Sequence, residues 1–128
     1  SCSFFGIYAG HGGSECAEFL QNNLHHLIIK DVHFPLNPIE AIRNGFREAE
    51  KQFCEIALQQ KHNVNKSGSC AIIALTIGDI CYIANVGDSQ AIMSCERGIN
   101  TRVLSREHIP DDAVERERIL SYGGKIYR

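Results

Sequence analysis

The sequence has no tryptophan, and it has no apolar run of the roughly 18 residues that a membrane-spanning helix needs. It also lacks an opening segment in which basic residues lead into an apolar stretch, so no secretory signal is expected. Neither sign of charge dominates, because 13 basic and 15 acidic residues leave a net charge of −2. Without a basic stripe or an apolar span, we expect no nucleic-acid partner and no membrane partner.

Cysteine is plentiful, but no two of the six cysteines are spaced as C-x-x-C. A zinc site needs closely spaced ligands, and the adjacent pair His25 and His26 does not make one. Most of the cysteines fall within helix or strand patterns, so we expect free, buried thiols in a reducing compartment, the cytoplasm or the nucleus. They are Cys2, Cys16, Cys54, Cys70, Cys81 and Cys95.

The length suits one domain, and a hydrophobic content of 44% predicts a real core. The chain begins with Ser1 inside an apolar run and stops at residues 125–128, where the pattern is that of an opening strand. We therefore expect residues 1–128 to be a single, partial domain of a longer protein.

Two helices are predicted before the central strands. Apolar residues three and four apart over 17–28 predict the first. Asn37 is a capping residue, Pro38 suits the first helical position, and Glu40 is placed to reach back to the cap. The apolar stripe over 39–56 covers only about two and a half heptads, so packing on a core is favoured over a coiled coil.

Two apolar, β-branched runs, 70–77 and 80–86, flank Gly78 and Asp79 and predict a hairpin in which Asp79 is only a turn residue. Successive positions are apolar, so we expect both faces of these strands to be covered, by another sheet and by helices. Three further elements are predicted, namely short strands at 91–93 and 101–104 and a helix that Asp112 and Glu115 begin as a capping box and Gly123-Gly124 end.

The stretch GIYAGHGGSE, residues 6–15, places glycines around His11 just before a helix. Glycines let a ligand approach the backbone, the helix start offers N–H groups, and His11 can donate a proton or bind an oxyanion. The spacing fails the dinucleotide pattern G-x-G-x-x-G, because Glu15 stands at its third glycine, and the P-loop lysine is absent. A ligand-binding loop and a purely structural turn both remain open.

Gly87-Asp88-Ser89 interrupts the strand pattern. Asp88 is a candidate metal ligand or base, although a turn aspartate bonded to its own backbone is the simpler interpretation. No Ser-His-Asp order or nucleophile elbow is present. The remaining polar groups are interpreted structurally: His108 as a loop or packing residue, His25, His26, His33 and His62 as surface residues, and Glu115–Arg118 as a solvated helix face.

Three stretches, SFFGIYAGHGGSECAEFL, SGSCAIIAL…CYIANVGDSQAIM and LSREHIPDDAVERERILSYGG, together resemble the metal-dependent serine/threonine phosphatases of the protein phosphatase 2C type. The resemblance implies an α+β fold of two face-to-face antiparallel sheets with helices outside each, in α/β/β/α layers. It also implies a two-metal site for Mn or Mg.

In that family the loop reads Asp-Gly-His-Gly-Gly, and the aspartate bridges the two ions. By resemblance, that position is Ala9, the carbonyl ligand is Gly10, and the histidine that protonates the leaving alkoxide is His11. Asp88 matches an aspartate of an additional metal site, whose following arginine is Gln90 here. The family's upstream arginine and acidic residues and its downstream Asp-Gly and Asp-Asn motifs have no match in this chain.

A missing bridging carboxylate removes both charge and geometry from a dinuclear site. We therefore expect a catalytically inactive pseudophosphatase or partial domain that does not bind Mn or Mg productively. We expect it to bind a phosphoprotein or regulatory protein, and to form a homodimer, with exchange of elements as one route. The alternatives are a piece of an active phosphatase that hydrolyses phosphoserine or phosphothreonine, and an unrelated anion-binding domain that uses the glycine loop.

Overall fold

The computed structural model describes residues 1–59 and 65–127, so the prediction for His62 lies outside the described residues. Residues 125–127 form no strand, in contrast to the pattern-based prediction. The described elements are β1 (Cys2–His11), α1 (Glu15–Ile29), α2 (Pro38–Gln59), β2 (Gly68–Ile77), β3 (Ile80–Val86), β4 (Ile92–Cys95), β5 (Asn100–Val103) and α3 (Ala113–Ser121), with a short 3-10 turn at Glu96–Gly98.

The three longest strands form one antiparallel sheet in the order β1-β2-β3. The predicted hairpin between β2 and β3 is confirmed, and Gly78 adopts the left-handed backbone that its turn needs. In the register of β1 with β2, Phe4 lies opposite Leu75 and Tyr8 opposite Ala71. Because side chains alternate along a strand, these residues share one face of the sheet.

The helices α1 and α2 cover that face and form the core with it. Leu24, Ile28 and Leu75 are fully buried there. A Cβ at Gly45 would overlap the Ile28 side chain, so glycine lets the two helices approach closely. The apolar stripe of α2 therefore packs on a core, as the sequence predicts. The buried core residues are Leu20, Leu24, Ile28, Ala41, Ile42, Ala49, Ala71, Ile73 and Leu75.

The opposite face of the sheet is largely open in the described residues. Phe5 is 65% exposed and Ile7 70% exposed on β1, whereas Ile72 beside them on β2 is buried. A groove of about 590 Å³ runs along this face toward the start of β4, with Ile83 and Ile92 in its lining. The sequence predicts that both faces of the sheet are covered. In the described residues, only the face that packs against α1 and α2 is fully covered.

Strands β4 and β5 pair in a separate two-stranded sheet, and α3 follows them. Both predicted cap residues are confirmed, but neither capping box is completed, because the Glu40 side chain lies beside Arg43 and the Glu115 side chain binds Arg118. Asn37 Oδ1 accepts from the Glu40 N–H at 3.3 Å, and Asp112 accepts from the N–H groups of Val114 and Glu115. The Glu40 side chain does not return to its cap and instead lies 3.6 Å from Arg43.

The prediction that Glu115–Arg118 is a solvated face is wrong at its first residue. Glu115 is only 6% exposed, and Arg118 holds its carboxylate with two hydrogen bonds of 2.7 and 2.5 Å. A buried carboxylate requires such a partner. The surface prediction also fails for His25, which is half-buried and lies 6.0 Å from Phe4 between ring centres.

All six cysteines are free, as predicted, but none is fully buried. Cys2, Cys54 and Cys81 are exposed, and the other three are half-buried. The helix and strand patterns place these residues in regular elements without specifying which side of the element faces the core. Within the described ranges, no helix combines the length and apolar character required to cross a membrane.

Candidate functional site

A cleft of about 540 Å³ lies where β1 ends and β2 begins, beside the loop that follows β3. Its walls come from the strand pair, from the Gly87-Asp88 loop and from the segment before α3. Ala9 and His11, which the resemblance assigns to the two-metal loop, and Asp88, which it assigns to an additional metal site, all line it. The full lining is Ala9, His11, Cys70, Gly87, Asp88, His108, Ile109 and Pro110.

Ala9 and Cys70 are cross-strand neighbours at the floor of this cleft. The Cys70 Sγ donates a hydrogen bond to Asp88 Oδ1 at 3.1 Å. This hydrogen bond is the main cause that raises the pKa of the Cys70 thiol, while a hydrogen bond from the Asp88 backbone has a smaller, opposite effect. The thiol is therefore the donor of this contact, and Asp88 is the carboxylate that the described part of the lining supplies.

The structure answers the open question about Asp88 in part. Asp88 is exposed, and its side chain accepts from Cys70, 18 positions away in the chain. A turn aspartate bonded to its own backbone is therefore not what is found. Its carboxylate points to the strand that carries the thiol.

His11 ends β1 and is exposed at the mouth of the cleft. Its ring lies against Gly68, its cross-strand neighbour, where a Cβ would overlap the imidazole. Gly10 does not belong to the cleft lining. A Cβ on Gly10 would lie 3.3 Å from the Ala17 Cβ, so its α-carbon faces α1.

The glycine loop is filled by another part of the chain. A Cβ on Gly12 would lie 3.2 Å from the Lys66 carbonyl oxygen, and one on Gly13 would lie 3.1 Å from the Ser67 Cβ. The Ser67 hydroxyl accepts from the Cys16 N–H at 3.1 Å and so occupies a donor at the start of α1. Residues 66–67 therefore pack against Gly12 and Gly13, and a ligand-binding role for the rest of the loop stays a prediction.

His108 lies in the predicted loop and also forms a wall of the cleft. Its ring Nδ1 accepts from the Gly87 N–H at 3.3 Å, and its backbone N–H donates to the Gly87 carbonyl at 2.8 Å. Sequence reasoning missed Cys70 and His108 as cleft residues. A predicted strand register would have placed Cys70 beside Ala9, whereas no local signal marks the contact of His108 with Gly87.

The described residues do not fit a two-cation centre. Ala9 offers a methyl group where the family has a carboxylate, and one oxygen of Asp88 already accepts from Cys70. Across 1–59 and 65–127, no three His, Cys, Asp or Glu side chains are grouped so that they could hold a metal ion. Mn and Mg prefer several oxygen ligands, which this cleft does not provide.

Comparison with solved structures places the fold. The "Crystal structure of serine-threonine phosphatase 2C from Toxoplasma gondii" superimposes with a TM-score of 0.80 over 95% of this chain and 45% of its own, at 19% sequence identity. The antiparallel sheet with its outer helix pair is thus part of the α+β phosphatase 2C fold, as the resemblance implies.

Two curated plant proteins are similar in sequence. The chain is 36% identical over 124 residues to "Probable protein phosphatase 2C 52" of Oryza sativa subsp. japonica and 36% identical over 123 residues to "Probable protein phosphatase 2C 59" of Arabidopsis thaliana. The alignments cover 97% and 95% of this chain but 24% and 38% of those relatives, so the chain spans well under half of their length. A family profile described as "Protein phosphatase 2C" matches residues 1–128. Since that match runs from the first residue to the last, the chain belongs to the protein phosphatase 2C family.

Proposed function

We propose that this chain is a phosphatase 2C domain, or part of one, that has no phosphatase activity of its own. The observation that carries the proposal is the floor of the cleft, where the Ala9 methyl group faces the Cys70 thiol instead of supplying a bridging carboxylate.

The charge balance supports this proposal. Two divalent ions bring four positive charges about 3.5–4 Å apart, and several carboxylates are needed to hold them. Among residues 1–59 and 65–127, the cleft lining contains one carboxylate, Asp88, and its Oδ1 accepts from the Cys70 thiol. Loss of a single well-placed electrostatic contact commonly slows an enzyme by about 100-fold or more. We infer that Mn and Mg, which the family uses, are not held productively here.

Release of phosphate from a phosphoserine or phosphothreonine peptide in millimolar Mn tests the proposal directly. We expect turnover at the level of a buffer blank, with an intact phosphatase 2C as the positive control. Electron paramagnetic resonance of added Mn should show free ions only. Robust, metal-dependent turnover by this chain would overturn the proposal.

A second candidate is that the chain is a piece of an active phosphatase. This candidate is favoured because the chain covers only 24% and 38% of the two relatives. The remaining metal-binding motifs would then lie in other parts of a longer protein that contains this chain. The full-length gene separates the two candidates. An upstream arginine and acidic residue, downstream Asp-Gly and Asp-Asn motifs and aspartate at position 9 of the natural gene would favour the enzyme.

If the cleft is inactive, the domain's role is binding. We propose a phosphoprotein or regulatory protein as its partner and self-association through the open sheet face that Phe5 and Ile7 expose. Exposed apolar patches of this kind commonly mark protein contacts. Light scattering at micromolar concentration tests the homodimer, and a clean monomer would contradict it.

A further inference from the structure

Asn85, near the end of β3, makes two hydrogen bonds that link separate parts of the cleft wall. Its Nδ2 donates to the Gly87 carbonyl at 3.0 Å and to the Arg106 carbonyl at 2.9 Å. Only the NH₂ end of an amide can donate to two carbonyls, so these bonds fix the orientation of the side chain. One amide thereby ties β3 both to the Gly87-Asp88 loop and to the segment that carries His108.

Gly87 is held from other sides as well. The Gly87 N–H donates to the His108 ring Nδ1 at 3.3 Å, and the Gly87 carbonyl accepts from the His108 backbone N–H at 2.8 Å. Gly87 has a φ of +111°, and a Cβ there would lie 2.5 Å from the Cys70 Sγ. Gly87 is therefore pressed against Cys70, and the direction of the next residue, Asp88, follows from how Gly87 is held.

We propose that Asn85 is the positioning residue of the cleft: by clamping the Gly87 and Arg106 carbonyls it sets Asp88 against Cys70. The other end of the same amide supports this role. Among residues 1–59 and 65–127, the buried Asn85 Oδ1 has no hydrogen-bond partner. An unpaired buried acceptor costs free energy, so any net stabilisation by this side chain comes from the two bonds that its Nδ2 donates. The role applies whether the cleft hydrolyses a substrate or only binds one.

The hydrogen bond from Cys70 to Asp88 supplies a local readout. While Asp88 accepts from it, the Cys70 Sγ is held in place by this hydrogen bond and is less available to an alkylating reagent. We expect Asn85→Ala to release the loop and to accelerate alkylation of Cys70 several-fold, measured by peptide mapping after timed iodoacetamide quenches. Cys16, in the first turn of α1 on the other side of the sheet, is the internal control and should keep its rate. General unfolding would accelerate both cysteines.

Three further variants make the test specific. Asn100→Ala removes an amide that donates to Glu96 Oε2 at 2.6 Å in the β4–β5 turn, and it should leave Cys70 unchanged. In an Asp88→Ala background, Asn85→Ala should no longer affect Cys70, because the effect passes through Asp88. Should Asn85→Ala fail to fold, Asn85→Ser is measured in its place. An unchanged Cys70 rate, or an equal effect with and without Asp88, overturns the proposal.

Discussion

The Ser67 hydroxyl accepts a hydrogen bond from the Cys16 N–H at 3.1 Å, across 51 positions of the chain. Ser14, the residue before α1, makes no capping hydrogen bond with its side chain and bonds Glu18 instead. The start of α1 is therefore capped from the segment that leads into β2, and this contact also closes the glycine loop beside the cleft.

Replacing Ser67 with alanine should destabilise the domain by about 1 kcal/mol, the usual cost of a lost helix cap. The hydroxyl is buried, so the Cys16 N–H is left without its partner. Urea denaturation followed by circular dichroism measures the change. Ser121→Ala, which removes an exposed bond to the Arg118 carbonyl, is the control and should have little effect. Equal midpoints for the two variants would contradict the capping role.

Gly45→Ala should destabilise the domain by about 1 to 3 kcal/mol, the usual cost of overpacking a core. Alanine is the better helix former in general, but here its Cβ would overlap the Ile28 side chain and lie 3.2 Å from the Ile28 backbone nitrogen. The two helices must then separate. Thermal unfolding measures the loss, and Lys51→Ala on the exposed side of α2 serves as the control. A gain in stability would show that the helices do not meet at Gly45.

The domain should lose stability in acid because the Glu115 carboxylate becomes protonated there. The hydrogen bonds from Arg118 hold the pKa of the Glu115 carboxyl below its ordinary value. A carboxyl whose pKa is lowered by folding contributes stability above its unfolded pKa of about 4.3, and that contribution is lost as the pH falls through the folded pKa. Melting temperatures measured from pH 7 to pH 3 should drop more steeply for the unsubstituted chain than for Glu115→Gln. The exposed Glu117→Gln should follow the unsubstituted chain, and coincident profiles for all three would refute the role of Glu115.

Ile7→Lys should reduce self-association without unfolding the domain. Ile7 is already 70% exposed on the open face, so a lysine there costs no buried contact but places a charge in the proposed interface. Light scattering should show a shift from dimer toward monomer at micromolar concentration. Ile99→Lys, at an 80% exposed position in the β4–β5 turn, should leave the mass unchanged. If the unsubstituted chain is monomeric, the self-association proposal fails.

Features set by neighbouring residues were predictable from the sequence. The Asn37 and Asp112 caps and the Gly78-Asp79 hairpin each depend on a few consecutive positions, and all are found. Their signals are strong because the interactions that create them are local.

Features set by distant parts of the chain were not predictable in this way. Glycines at 12 and 13 indicate that another group passes close to the backbone, but only the structure shows that the segment 66–67 does so. The burial of Glu115 is not marked in its alternating run of charges, and only the structure shows that its carboxylate is bound by Arg118. The contact between Cys70 and Asp88 depends on strand register and on the clamp at Gly87.

Strand β1 presents Phe5, Ile7, Ala9 and His11 at alternate positions of a single face, so consecutive members are about 7 Å apart. The edge of a partner that covered Phe5 and Ile7 would therefore lie about one side-chain width from Ala9 and His11. Because Ala9 and His11 line the cleft, that edge would form part of the cleft entrance. If a partner covers Phe5 and Ile7 as proposed, it would also limit which molecules can reach His11, and self-association would then change access to the cleft.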